Sequence, residues 1–197
     1  PYDDDAGNRG LLVTSPDTLE LLARASLEHG MPLCIHAIGD RGNRIALEAC
    51  ERAGGGAAGL RGKRFRIEHA QVVALDDIPR FAAAGVIASM QPTHCTSDMP
   101  WAPARLGAKR IEGAYAWRRM LNAGVRLALG SDFPVEEPNP LLGVYAAVTT
   151  QDLDGHPPGG YRPSERLTLW EALRGFTSDA AYAAFMESEV GRLAPGY

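Results

Sequence analysis

The stretch RLALGSDFPVEEP, residues 126–138, decides the fold. Residues 127–131 form an apolar run that ends in small residues, and the carboxylate of Asp132 follows at once. Phe133 and Pro134 then end the element. This order is typical of a buried parallel strand with an acid at its C-terminal end, where α/β proteins build their sites. A simpler interpretation is that Asp132 only caps the segment that follows.

The composition is typical of a globular domain without a nucleic-acid or membrane surface. Hydrophobic residues make up 45% of the 197 residues and charged residues 22%. The net charge of −4 gives neither a basic stripe for nucleic acid nor a polybasic membrane segment. No apolar run approaches the ~20 residues of a membrane span, and no signal peptide is visible.

The cysteines and the chain ends indicate the cellular compartment and the extent of the polypeptide. Cys34, Cys50 and Cys95 are widely spaced, so they indicate neither a disulfide framework nor a CxxC zinc site. We therefore expect a reducing, cytoplasmic compartment. The chain begins without Met and closes on VGRLAPGY, so we expect both ends to be internal positions of a longer polypeptide.

Three further apolar runs of strand length precede the opening stretch, at residues 33–38, 64–70 and 86–90. A segment with helical features separates each run from the next. Strands that alternate with helices indicate βαβ units, whose strands are parallel. The sequence therefore predicts an α/β fold with a parallel sheet.

Several helix starts are marked by capping signals. They are Ser15 before Pro16, Asn139 before Pro140, and a capping box of Thr168 and Glu171. We expect Asp76 or Asp77 to cap a short helix, and Ser178 or Asp179 to cap the last one. A further helix is expected at residues 113–123. Residues 93–108 have little periodicity and are expected to form a loop, which at this length is usually functional or disordered.

Three of the four predicted strands carry a metal-competent side chain at the C-terminal end: His36, His69 and Asp132. For either histidine alone, a buried and hydrogen-bonded core residue is the simpler interpretation. Parallel strands place their carboxyl ends side by side, so the three groups could meet at one edge. Their convergence on equivalent strand ends therefore indicates a shared site.

Imidazole and carboxylate are suitable ligands for zinc or a similar divalent ion. A bound divalent metal lowers the pKa of its water from ~15.7 to about 7. A carboxylate beside that water can take its proton and pass it to a leaving amine. The three residues therefore predict metal-assisted hydrolysis of a carbonyl-type bond.

Five motifs extend along the chain: HAIGDRGN (36–43), RIEHAQ (66–71), SMQPTHCTSDMPWA (89–102), GAYAWRRMLNAGVRLALGSDFPVE (113–136) and NPLLGVYAAVTTQD (139–152). Together they resemble the amidohydrolase superfamily, in the amidohydrolase family 3 branch that includes N-substituted formamide deformylase-like enzymes. The resemblance covers essentially the whole chain, and the combination is specific although each motif alone is weak. It implies a TIM-type (β/α)8 barrel with a metal site at the C-terminal ends of its strands.

The resemblance also implies roles for the three strand-end residues. His36 becomes the metal ligand on strand five of the barrel, and His69 the ligand on strand six. Asp132 becomes the strand-eight acid that binds metal and acts as general base. The implied cofactor is a divalent metal, zinc by preference, as one or two ions.

The segment after strand seven faces the substrate in the family that the chain resembles. The resemblance therefore implies that His94, Asp98 and Trp101 bind the substrate. Packing within the loop is the alternative for Trp101, and a turn cap is the alternative for Asp98.

The sequence lacks two features of the family pattern. Members carry an HxH pair on strand one and, in many, a bridging acid or lysine on strand four, and the sequence has neither. We therefore expect residues 1–197 to form the C-terminal half of the barrel, strands five to eight, without the N-terminal half-barrel and the small β-sandwich. The missing half would come from the rest of the polypeptide or from another chain, including a second copy in a homo-oligomer. Alone, this fragment is expected to bind metal weakly and to be inactive.

The sequence leaves two functional hypotheses open. The first is a metal-dependent amidohydrolase that cleaves a C–N bond of a small-molecule amide, formamide or cyclic amide, with Asp132 as base. The second is a non-catalytic half-barrel that serves as a binding or assembly module, which the missing HxH favours. A phosphate-binding doubly wound domain is disfavoured, because no GxGxxG or P-loop sequence follows a strand.

Overall fold

The computed structural model describes residues 1–195. Gly196 and Tyr197, which end the VGRLAPGY segment and the expected domain 1–197, lie outside the described residues. The described chain forms a four-stranded parallel sheet in the order β1-β2-β3-β4, which confirms the predicted parallel α/β arrangement. The strands are β1 (Cys34–Ala37), β2 (Arg66–His69), β3 (Ile87–Met90) and β4 (Leu127–Leu129).

Helices connect and cover these strands, and none within residues 1–195 is long and apolar enough to cross a membrane. Three predicted helix starts are confirmed: Ser15 and Asn139 accept hydrogen bonds as N-caps, and Thr168 and Glu171 form a capping box. The helices are α1 (Pro16–Glu28), α2 (Asp40–Ala53), α3 (Ile78–Ala84), α4 (Pro92–Asp98), α5 (Ala102–Arg110), α6 (Trp117–Asn122), α7 (Pro140–Thr149), α8 (Leu169–Phe176) and α9 (Ser178–Ala183).

The two faces of the sheet differ in polarity. One face, represented by Ile67 and Met90, is buried in the main apolar core together with residues of the helices. Residues paired across parallel strands share a face, so His36, Glu68 and Ser89 lie together on the other face. That face is polar toward the carboxyl ends of the strands, which is where the candidate site lies.

The prediction of a loop at residues 93–108 is wrong. Two short helices, α4 and α5, occupy most of this segment. Each has a proline in its first turn, and the left-handed backbone of Gly107 (φ 69°) interrupts α5. Neither helix is therefore long and regular enough to give a clear helical period in the sequence.

The capping hydrogen bonds expected from Asp77 and Asp179 do not form. Asp77 holds the N-cap position of α3, but its side chain forms no capping bond and instead accepts from Arg44 (2.8 Å) and Arg80 (2.7 Å). Asp179 lies in the first turn of α9 and pairs with Arg126 and Arg174. In both cases a nearby guanidinium competes for the carboxylate, and a charged partner forms the stronger hydrogen bond.

The helix expected at residues 113–123 is shorter than predicted. It begins at Trp117, because Tyr115 has a left-handed backbone (φ 51°) that cannot belong to a right-handed helix. A 3₁₀ turn at Ile111–Gly113 precedes it. The left-handed residue turns the Tyr115 ring into the interior, where it is buried.

Candidate metal centre

His36 and His69 lie in contact at the carboxyl ends of β1 and β2. Their ring centres are 4.6 Å apart, and the rings meet edge to face at 76°. His69 is buried, whereas His36 is exposed on the polar face of the sheet. The structure therefore brings together two of the residues that the sequence assigned to one site.

The backbone of His69 makes this contact achievable. His69 pairs with Ala37 in the parallel ladder, and strict alternation would place its ring on the apolar face with Ala37. Its φ of 72° ends the strand and changes the direction of the side chain. Asp132 also has a left-handed backbone, with a φ of 57°. Such conformations cost about 1–3 kcal/mol each and concentrate at functional sites.

Asp132 lies beyond the end of β4, on an exposed turn closed by a hydrogen bond from Val135 N–H to the Asp132 carbonyl (2.8 Å). Its charge acts on His36. Desolvation and the neighbouring His69 lower the pKa of His36 below its ordinary value, while the carboxylates of Asp132 and Glu68 oppose that shift. A lowered pKa keeps His36 neutral near pH 7, which is the form that binds metals.

Gln91, directly after β3, fixes the ring of His69. Its Oε1 lies 2.9 Å from Nδ1 of His69, and both residues are buried. The other end of the same amide, Nε2, donates to the carbonyl of Ser89 at 3.4 Å. A residue that follows β3 thus orients the imidazole ring at the end of β2.

His94 and Asp98 extend the site along α4. The His94 ring stacks on His69 with ring centres 5.7 Å apart, and its buried Nε2 has no hydrogen-bond partner among residues 1–195. Asp98 accepts hydrogen bonds from Gln71 (2.5 Å) and from the hydroxyl of Tyr115 (2.7 Å). Burial raises the pKa of Asp98, and the bond from Tyr115 opposes that shift. These two residues therefore line the same region as the paired histidines.

Trp101 stands apart from this group. It precedes α5, and 51% of its surface is exposed. Within residues 1–195, its indole makes no hydrogen bond or ring contact with the paired histidines. Its substrate-binding role stays a prediction.

Asn43 connects the end of β1 with the segment that follows β2. This fully buried residue places its side-chain amide 3.0–3.3 Å from the carbonyl oxygens of Ala37, Ile38 and Gly39, and 3.1 Å from that of Val72. It therefore joins the segments that follow His36 and His69. Buried carbonyl groups need such partners, because an unpaired one is costly.

The donor chemistry fits a divalent ion, although the described residues do not complete a site for one. Two imidazoles in contact, one with its Nδ1 already engaged, leave nitrogens that can bind metal, and Asp132 adds a carboxylate nearby. Among residues 1–195, however, no group of three or more His, Cys, Asp or Glu side chains is arranged to hold a metal ion.

Sequence reasoning missed three residues that organise the site: Asn43, Gln91 and Tyr115. Gln91 follows a strand end directly, which is the signal that could have identified it. Asn43 lies within the HAIGDRGN motif, but its four carbonyl contacts follow from tertiary structure. Tyr115 reaches Asp98 only because its backbone is left-handed, and no sequence pattern indicates that.

The chain is similar to known proteins over its whole length. The Amidohydrolase family matches residues 1–197. The chain is 35% identical over 197 residues to amidohydrolase YtcJ of Bacillus subtilis, covering all of this chain and 36% of that protein. It is 30% identical over 183 residues to N-substituted formamide deformylase of Arthrobacter pascens, covering 90% of this chain and 32% of that protein.

A solved structure shows the same arrangement of elements. An uncharacterized metal-dependent hydrolase from Pyrococcus horikoshii superposes with a TM-score of 0.86 at 30% identity, over 100% of this chain and 38% of that one. The chain thus spans about a third of the length of the proteins it matches. The matched residues and the fold lead to one conclusion: this chain belongs to the amidohydrolase family.

Proposed function

We propose that the intact protein is a metal-dependent hydrolase that cleaves a C–N bond of a small-molecule amide, formamide or cyclic amide. The observation that carries this proposal is the contact between His36 and His69 at adjacent strand ends, with the charge of Asp132 acting on His36. The family membership and the names of the relatives, an amidohydrolase and a formamide deformylase, support the same class of reaction.

In this proposal His36, His69 and Asp132 would hold a divalent ion, with zinc the ion that best suits two imidazoles and a carboxylate. When bound, the ion would supply a more acidic water and polarise a carbonyl oxygen. Asp132 would take the proton of the attacking water on its carboxylate and pass it to the leaving nitrogen. Its exposed position at the end of β4 leaves room for that transfer.

The substrate would lie beside the paired histidines, where His94 and Asp98 of α4 line the same region. His94 offers a buried ring nitrogen without a partner among residues 1–195, and Asp98 is held in place by Gln71 and Tyr115. Both side chains can therefore form directional hydrogen bonds with a polar substrate. Trp101 would cover the substrate from the start of α5.

The four strands would be strands five to eight of a TIM-type barrel, with their polar face toward its interior. The open sides of β1 and β4 would pair with strands of the missing half, which would also supply further metal ligands. The proportion of each relative that this chain covers, about a third, is consistent with that assignment.

A test on the intact protein combines chelation with one substitution. We expect hydrolysis of an N-substituted formamide to be lost on chelation and restored by zinc. Asp132→Asn should lower kcat by about 10²–10⁴-fold, because it removes the general base. The control Asp154→Asn alters an exposed loop carboxylate and should leave the rate unchanged. Hydrolysis that survives both chelation and Asp132→Asn would contradict the proposal.

A second candidate is a non-catalytic binding or assembly module. The observation in its favour is that no three-ligand group forms among residues 1–195. This candidate predicts that partner binding through the open strand edges is unchanged in His36→Ala and His69→Ala, and that the intact protein holds no metal. Metal bound through these histidines would instead support the hydrolase.

A further inference from the structure

Gln91 has a defined orientation, because the two ends of its amide have different partners. Nε2 is a donor, and it reaches the carbonyl of Ser89 at 3.4 Å. Oε1 is an acceptor, and it lies 2.9 Å from Nδ1 of His69. An amide carbonyl can only accept, so the nitrogen that faces it must carry the hydrogen.

The orientation of Gln91 therefore determines the tautomer of His69. With a hydrogen on Nδ1, a neutral imidazole has its lone pair on Nε2. Within residues 1–195, Nε2 of His69 has no hydrogen-bond partner. It remains available for another ligand, and a ring held through one nitrogen commonly binds a metal through the other.

Packing adds to this control of the ring. The ring of His69 contacts the ring of His36 edge to face, with ring centres 4.6 Å apart, and stacks on the ring of His94, with ring centres 5.7 Å apart. Both His69 and Gln91 are buried, with 8% of their surface exposed, so water competes weakly for the bond between them. The hydrogen bond thus sets which nitrogen points outward, while the neighbouring rings limit rotation.

We propose that Gln91 is a positioning residue that holds His69 in the Nδ1–H tautomer and so presents Nε2 to a divalent ion. This inference rests on the proposed metal-dependent function. It assigns the role to a neutral amide directly after β3, a strand to which no metal ligand is assigned.

The experiment uses the intact protein and two substitutions at this position. Gln91→Met removes the acceptor at similar side-chain length, and Gln91→Glu retains an acceptor oxygen. Gln151→Met is the matched control, because Gln151 uses its amide within the fold, donating to the carbonyls of Gly155 (2.7 Å) and Pro157 (3.0 Å). The probe is zinc alone, and its dissociation constant is measured by competition with a chelator.

We expect Gln91→Met to raise the zinc dissociation constant by about 10–100-fold, as is typical when a partner of a metal-binding histidine is removed. Gln91→Glu should bind at least as tightly as the unaltered protein, and Gln151→Met should be unchanged. An unchanged constant in Gln91→Met, or an equal loss in Gln151→Met, would overturn the inference.

A second measurement separates this inference from the proposed function. The imidazole nitrogen spectrum of the zinc-free protein reports the tautomer of His69, whose resonances are those lost in His69→Ala. We expect Nδ1–H in the unaltered protein and a mixture of tautomers in Gln91→Met. Nε2–H in the unaltered protein would overturn the inference whether or not the variants fold. Failure of the unaltered protein to bind zinc, with the Nδ1–H tautomer present, would overturn the metal-dependent function and leave the role of Gln91 in orienting His69 supported.

Discussion

At the scale of single residues, Asn43 connects the ends of two strands through one side chain. Its amide lies within hydrogen-bond distance of the carbonyls of Ala37, Ile38 and Gly39 on one side and of Val72 on the other. His36 directly precedes the first of these segments, and Ala70 and Gln71 separate His69 from Val72. The separation of the histidines therefore depends on a residue that is not part of the proposed chemistry.

Replacing Asn43 by Ala should destabilise the intact protein by about 2 kcal/mol or more, because each buried carbonyl left without a donor costs about 1–3 kcal/mol. Asn122→Ala is the control, since Asn122 is exposed at the end of α6 and should change stability by no more than about 0.5 kcal/mol. Denaturant unfolding measures both values. Equal stability of the two variants would show that Asn43 does not hold the strand ends.

At the scale of elements, α8 packs directly on β4, the strand that leads to Asp132. Gly175 permits this approach, because a Cβ at that position would lie 2.6 Å from Cγ and Cδ1 of Leu129. The N-terminus of α8 is stabilised by the capping box of Thr168 and Glu171. The position of Asp132 thus depends on the close packing of one helix.

Gly175→Ala should destabilise the protein by about 1–3 kcal/mol, the usual cost of overpacking a core. Because the added methyl group meets β4, it should also lower kcat, and thermal unfolding and kinetics measure the two effects. Gly42→Ala is the matched control within α2, where the nearest atom would be 3.7 Å away and Ala favours the helix. Destabilisation by Gly42→Ala but not by Gly175→Ala would contradict this packing account.

The start of α8 also predicts a pH dependence. Hydrogen bonds from Arg118 lower the pKa of Glu171 from 4.5 to about 2. A depressed folded pKa stabilises the protein fully above the unfolded value, and this contribution is lost as pH falls from about 4.5 toward 2. The difference in unfolding free energy between the unaltered protein and Glu171→Gln should therefore shrink across this range. A difference that stays constant from pH 6 to pH 2 would show that the Arg118–Glu171 pair contributes nothing.

The sequence predicted these elements to different degrees. Apolar runs and capping signals such as Ser15 and Thr168 are local, so they identified the four strands and the helices beside them. The helices α4 and α5 were missed because they are too short to show a period. Asp179 was assigned to a cap because its partner Arg126 is distant in sequence and reaches it only in the folded protein.

At the scale of the whole molecule, the described sheet has one face buried in the main core and a second face that is polar toward the carboxyl ends of its strands, where the candidate site lies. Parallel order and strand-end position followed from the sequence, and so did the meeting of His36 with His69. The sequence did not predict the left-handed backbone at His69 or the hydrogen bond between His69 and Gln91. Both depend on how neighbouring strands pack. The half-barrel assignment and the metal remain proposals for the intact protein.

The measurement that tests the central claim most directly is the zinc bound by the intact protein with and without its two strand-end histidines. His36→Ala/His69→Ala should lose zinc, because both proposed imidazole ligands are removed. The control His29→Ala/His156→Ala alters two exposed histidines and should retain as much zinc as the unaltered protein. Equal zinc in the two double variants, or none in the unaltered protein, would contradict the assignment of His36 and His69 as metal ligands.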